Sequence, residues 1–89
     1  MRISDSKKEK ICEQILSYLY STNPQPQFTI KIAQELIRDE EFTKKLLISL
    51  KKRGLLVEIK KNSQGVIYLK RSRWKLSDKA YTSYKNLSI

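Results

Sequence analysis

The sequence contains no histidine, one cysteine (Cys12), two glycines and two prolines. Without histidine there is no imidazole to act as general base or to ligate a metal, which removes the commonest partner in both roles. One cysteine cannot close an internal disulfide, so the fold must stand on its core, and Cys12 is expected to be a reduced thiol inside a cell. No glycine-rich phosphate loop is present. The longest uninterrupted apolar run is the tetrapeptide "VIYL", far short of the roughly 20 residues that a bilayer-spanning helix needs. The N-terminus "MRISDSKKEKIC" lacks the apolar stretch of a signal peptide. Together these absences argue against an enzyme, a metal or other cofactor, and a membrane location. A cytoplasmic protein is expected. Its 89 residues suffice for a single domain, 1–89, with one modest core.

Acid is scarce where base is dense. The net charge is +10. Residues 1–43 hold six Lys/Arg and seven Asp/Glu, a net of −1. Residues 44–75 hold eleven Lys/Arg and a single acid, Glu58, a net of +10. The remaining residues, 76–89, add +1. A surface built for solubility intersperses both signs. A one-signed block is the footprint of a phosphate-binding surface.

The apolar spacing sets out the elements. In "DSKKEKICEQILSYLY" (5–20), Ile11, Cys12, Ile15, Leu16 and Leu19 share one helix face. Ser6 and Glu9 have capping-box spacing at its start, and Cys12, on the apolar stripe, reads as core filler. Glu9 and Glu13 share a face beside Lys8 and Lys10, which reads as solvated surface. Pro24 and Pro26 break the pattern. Phe28 and Thr29 then suit a very short strand, with Thr29 capping a second helix, "IKIAQELIR", whose apolar face is Ile32, Ala33, Leu36 and Ile37. Asp39 is a candidate N-cap for a third helix, and the following glutamates complement its dipole, so the acidic triplet at 39–41 needs no metal to explain it.

The third helix, 41–53, is the informative one. With Phe42 at 0° and about 100° per residue, Phe42, Thr43, Leu46, Leu47 and Leu50 fall on one arc. Lys44, Ile48, Lys51 and Lys52 fall on the opposite side, flanked by Lys45. Gly54 suits a left-handed C-terminal turn. The period then changes from 3.6 to 2. Val57 and Ile59 alternate with Glu58 and Lys60, which puts the two apolar residues on the buried face. "KNSQG" supplies a turn, and "VIYLKRSRWKL" returns, with a bulge expected near Ser72. Ser77 caps a last helix bearing Ala80, Tyr81, Tyr84 and Leu87 on one side. Trp74, Tyr81 and Tyr84 are expected to pack the hairpin against that helix.

Three stretches carry a family resemblance: "FTIKIAQEL", "LLISLKKRGLL" and "WKLSDKAYTSY". They resemble, in order, the second helix, the end of the recognition helix and the wing-to-last-helix passage of winged helix-turn-helix regulators of the MarR and PadR type. Ala80 stands where that pattern has glycine. The resemblance covers nearly the whole chain. It implies an α+β fold with a three-helix core, a two- to three-stranded β-hairpin wing and a C-terminal helix, and it implies a homodimeric regulator that binds double-stranded DNA. On that reading Lys44, Lys45, Ile48, Lys51 and Lys52 face the major groove. Lys60, Lys61, Asn62, Ser63, Gln64, Lys70, Arg71 and Arg73 form the wing contacts, Thr29 and Lys31 are candidate phosphate contacts, and Tyr81, Tyr84 and Leu87 are a candidate dimer surface. The stretch "LKKRGLLVEIKKNSQGVIYLKR" is also similar to the wing of a small-subunit ribosomal protein family of eukaryotes and archaea, whose members are winged helices bound to RNA. The basic face alone leaves three partners open: duplex DNA, RNA or an acidic protein.

Overall fold

The computed structural model describes residues 5–60 and 72–87. In chain order the elements are α1 (Asp5–Thr22), β1 (Gln27–Phe28), α2 (Thr29–Leu36), α3 (Glu40–Lys52), β2 (Leu56–Ile59), β3 (Arg73–Leu76) and α4 (Asp78–Leu87). The three strands form one antiparallel sheet in the order β1-β3-β2, so the winged-helix arrangement expected from the sequence is present.

The core is built from the apolar stripes. Ile11, Cys12, Ile15 and Leu19 from α1 meet Ile32 from α2, Leu46, Leu47 and Leu50 from α3, Leu56, Trp74 and Leu76 from the sheet, and Ala80 from α4. Burying one Leu or Ile side chain contributes about 1.5–3 kcal/mol. Leu47, with no exposed surface, is thus a site where truncation to alanine costs about 2–5 kcal/mol. Cys12 is buried as expected. Burial first, and then the Glu9 charge, push its thiol above the ordinary value against the opposing pull of Arg53, which disfavours the reactive thiolate.

The helix ends follow two patterns. Asp39 caps α3: its Oδ2 accepts the Phe42 N–H at 3.0 Å. Ser77 caps α4 by accepting the Ala80 N–H at 3.1 Å while donating to the Gly54 carbonyl at 2.8 Å. Both were expected. Ser6 was expected as a cap too, but α1 already begins at Asp5, so Ser6 lies inside the first turn. Thr29 does not cap α2 either. The capping position is Phe28, and Thr29 is the first helical residue.

Other expectations are corrected. Ile37 does not join the apolar face of α2. It ends that helix in the left-handed region (φ 53, ψ 50) and is 89% exposed. In β2 the parity is reversed. Leu56 is buried and Val57 is 40% exposed, because Leu56 pairs with Leu76 and Glu58 with Trp74, and opposed residues in an antiparallel pair share a face. Val57 and Ile59 therefore point away from the helices, opposite Lys75 and Arg73. The ladder from Arg73 to Leu76 is regular, and the stretch leading into Ser72, where the bulge was expected, lies outside the described residues. Finally, Tyr81 stacks on Tyr20 of α1 (centroids 5.4 Å apart) and Tyr84 tilts against the same ring (5.3 Å). Those tyrosines hold α4 to α1, and Tyr81 also packs against the core cluster that contains Trp74 and Leu76 of the sheet, with Trp74 itself buried.

Candidate nucleic-acid interface

The candidate reading helix is fixed at both ends and along one side. At its start Asp39 accepts the Phe42 N–H, and the Thr43 hydroxyl donates to the Asp39 carbonyl at 2.8 Å. Glu40 and Glu41 occupy the first turn, Lys51 and Lys52 the last, each sign at the dipole end that favours it. Thr43, Leu46, Leu47 and Leu50 are buried, and Phe42 packs partly buried against the core. At the C-terminus the Leu55 N–H reaches the Leu50 carbonyl (3.0 Å) and the Gly54 N–H reaches that of Lys51 (2.9 Å). That is a Schellman turn with Gly54 at φ 78. Arg53 follows the last helical residue and meets Glu9 at 3.3 Å, which ties α3 to α1.

What α3 leaves outside is the candidate contact surface. Lys44, Lys45, Lys51 and Lys52 are exposed, and Ile48 is 37% exposed among them. Lys51 differs from the other three. Its Nζ lies 2.8 Å from Glu58 Oε1, and the second carboxylate oxygen of Glu58 accepts from Ser72 Oγ at 2.5 Å. This junction joins α3, β2 and the entry to β3. Burial works to raise the Glu58 pKa. The hydrogen bonds from Lys51 and Ser72, with the charges of Lys51 and Lys60, outweigh it and hold the carboxyl below its ordinary value. Lys51, Glu58, Ile59 and Lys60 line a shallow recess of about 500 Å³ between helix and strand.

The remaining candidates divide. Lys60 is exposed directly after β2. Lys61, Asn62, Ser63, Gln64, Lys70 and Arg71 lie outside the described residues. Arg73 is half-buried on the outward sheet face, paired across from Phe28 and Ile59, with its guanidinium carbon 6.0 Å from the Phe28 ring centroid. Lys31 is exposed on α2. Thr29 is buried, and its hydroxyl accepts the Trp74 indole N–H at 2.8 Å. It is a strut beneath the surface, and the expected phosphate contact there is withdrawn. Tyr81 and Tyr84 set their rings against Tyr20 and are each half-buried. The side chain of Leu87 lies outside the described residues. Among the described residues no group of three His, Cys, Asp or Glu side chains is placed to hold a metal ion, and no helix is long and apolar enough to cross a membrane.

Sequence reasoning missed Lys75, which lies beside Arg73 on the outward face opposite Val57. It also missed the engagement of Lys51. A signal for the second was present: Glu58 is the one acid in a block of eleven bases, and a lone acid in such a field will find a cation.

The fold is the winged helix, and solved winged-helix transcription regulators share it. The chain superposes on MepR of Staphylococcus aureus in its complex with DNA with a TM-score of 0.73 at 20% identity, covering 94% of this chain and 68% of that one. On ZitR of Lactococcus lactis the TM-score is 0.72 at 22% identity, over 93% and 58%. On the PcaV transcriptional regulator of Streptomyces coelicolor it is 0.68 at 18% identity, over 88% and 53%. The chain thus spans about half to two-thirds of the length of these regulators. No protein-family model and no curated protein sequence matches it.

Proposed function

We propose that the chain binds double-stranded DNA sequence-specifically as a small transcription regulator, with α3 in the major groove and the wing against the adjacent backbone or minor groove. The observation that carries this reading is the two-sidedness of α3. One side is spent on the core, and the other presents Lys44, Lys45, Lys52 and Ile48. The fold that presents them is one that in MepR has been solved on DNA. Thirteen residues at 1.5 Å each give a helix of roughly 20 Å, and a groove about 12 Å wide admits it. Lysines reach phosphates or guanine edges, and an exposed isoleucine suits a thymine methyl. Lys60 and the basic residues that follow it, Lys61, Lys70 and Arg71, supply backbone contacts that set register without reading sequence. Lys31, near the start of α2, adds a phosphate contact.

Arg73 has a lesser part in this proposal, because it lies on the outward sheet face beside Phe28. A cytoplasmic homodimer on two half-sites about one helical turn apart is the assembly that gives so small a reader its specificity. Fluorescence anisotropy on random-sequence duplex tests the electrostatic part. With about four to six phosphates neutralised, log K falls against log salt with a slope near −4 to −5. A slope near zero overturns the reading. Selection from random duplex tests the sequence-specific part, for which a palindromic consensus is expected.

A further inference from the structure

Lys51 stands on the stripe of α3 that would face a groove, one and two turns along from Ile48 and Lys44. It is nevertheless held by Glu58. The ammonium-to-carboxylate distance is 2.8 Å, the Glu58 side chain is 12% exposed and that of Lys51 is 48% exposed. Ser72 fixes the other carboxylate oxygen, so the acid cannot follow Lys51 outward. A carboxylate that is fixed and already oriented by a second donor holds the ammonium by a charge-assisted bond that a phosphate contact would first have to break. The single acid in residues 44–75 is thus spent on a base that would otherwise be the most natural phosphate contact of the last turn.

We infer that Glu58 determines specificity by withholding Lys51 from the DNA backbone, so that it limits sequence-independent binding while it sets the wing against the reading helix. This rests on the DNA-binding function proposed above. Sequence-independent affinity grows with each phosphate neutralised, while sequence reading does not. A helix that must discriminate therefore gains from a lysine kept off the backbone. Half-exposed as it is, Lys51 needs only the loss of the Glu58 charge to swing out.

The test uses the full chain and a random-sequence duplex across a salt series. Glu58→Gln keeps an acceptor for Ser72 and removes the charge. Its slope of log K against log salt is expected to steepen by about 0.9, one added phosphate. Its affinity at low salt is expected to rise roughly three- to tenfold, in line with the same counterion release. Adding Lys51→Gln to that variant should return the slope to the wild-type value, and Lys51→Gln alone should leave it unchanged. If the double variant keeps the steeper slope, the gain is a general field effect and the inference fails. If Lys51→Gln alone flattens the wild-type slope by about 0.9, Lys51 already touches phosphate and the inference fails, whether or not the Glu58 variant folds. A wild-type slope near zero would instead remove the DNA-binding function itself. A steep wild-type slope with no change in Glu58→Gln removes only this inference.

Discussion

The indole N–H of Trp74 donates to the hydroxyl of Thr29 at 2.8 Å across 45 residues of sequence. Both side chains are buried. The bond fastens β3, on the exit side of the wing, to the first turn of α2, the helix before the reading helix. It therefore sets the angle between the sheet and the two helices that carry the candidate interface. Thr29→Val keeps the shape and strands a buried N–H, which costs about 1–3 kcal/mol. Trp74 is the chain's single tryptophan, so unfolding in urea is followed by far-ultraviolet circular dichroism, which serves variants that lack it as well. In a double-mutant cycle with Trp74→Phe, the Thr29→Val penalty should largely vanish, since the orphaned donor is gone. An undiminished penalty would mean that the threonine acts through packing alone.

Two helices end in the same motif with opposite chemistry. After α3, Gly54 takes the left-handed position at no steric cost. After α2, Ile37 takes it, with the Arg38 N–H on the Ala33 carbonyl (3.0 Å) and the Ile37 N–H on that of Gln34 (3.2 Å). A β-branched residue there is strained by about 1–2 kcal/mol, and at 89% exposure its side chain recovers little by burial. Ile37→Asn and Ile37→Gly should therefore raise stability by about 1 kcal/mol. Gly54→Ala should lower it by a similar amount, although nothing lies within 4 Å of the added methyl. Denaturant midpoints of the three variants check both signs. A destabilised Ile37→Asn would show that Ile37 is held by contacts rather than strained.

Glu58 gives stability an acid limb. Its carboxyl titrates below the ordinary glutamate value in the folded chain, so the folded state binds its proton less readily than the unfolded state. The contribution is complete above the unfolded pKa. It is lost as pH falls from the ordinary glutamate range through the folded value, and it is absent below both. Glu58→Gln should flatten this limb of a melting-temperature profile, from the ordinary glutamate range downward. Near neutral pH it should cost only the charge-assisted part of the clasp, about 1 kcal/mol given the half-exposed Lys51. An acid limb identical to wild type would assign the carboxylate no role in the fold.

What the sequence made legible follows from how each feature is encoded. The buried arc of α3 was readable because five apolar or small residues recur at one angle while four lysines avoid it. The Asp39 and Ser77 caps were readable because capping chemistry is local. The parity of β2 was not, since "LLVEI" (55–59) offers apolar residues at both parities. Only pairing with Leu76 and Trp74, across the hairpin, decides which set is inside. The inward Glu58 contradicts simple alternation and is tolerated because Lys51 and Ser72, 7 and 14 residues away in sequence, satisfy it. Ile37 was assigned to the core because it continues the apolar spacing of Ile32, Ala33 and Leu36, and nothing local announces a left-handed isoleucine. Among site residues, the exposure of Lys44, Lys45 and Lys52 could be read from the periodicity. The commitment of Thr29 could not, because it depends on a partner in another element, and the lone Glu58 signalled only that some cation would be engaged, without saying that it is Lys51.

Ile48 and Lys44 lie one turn apart on the outer side of α3, and under the proposed function they do different work. A lysine on a phosphate contributes to every sequence alike, so Lys44→Gln should weaken all duplexes and reduce the salt slope by about 0.9. An isoleucine against a thymine methyl carries no charge. Ile48→Ala should leave the salt slope intact and relax discrimination at one A·T position by about 1–3 kcal/mol at most. At 37% exposure its truncation should also change folding stability by no more than about 0.5 kcal/mol, as for other surface sites. Parallel selections from random duplex with wild type and Ile48→Ala make the comparison. One position of the consensus should become degenerate while the rest stands. An unchanged consensus would move base reading off Ile48, and a changed salt slope would show that the substitution had shifted the helix itself.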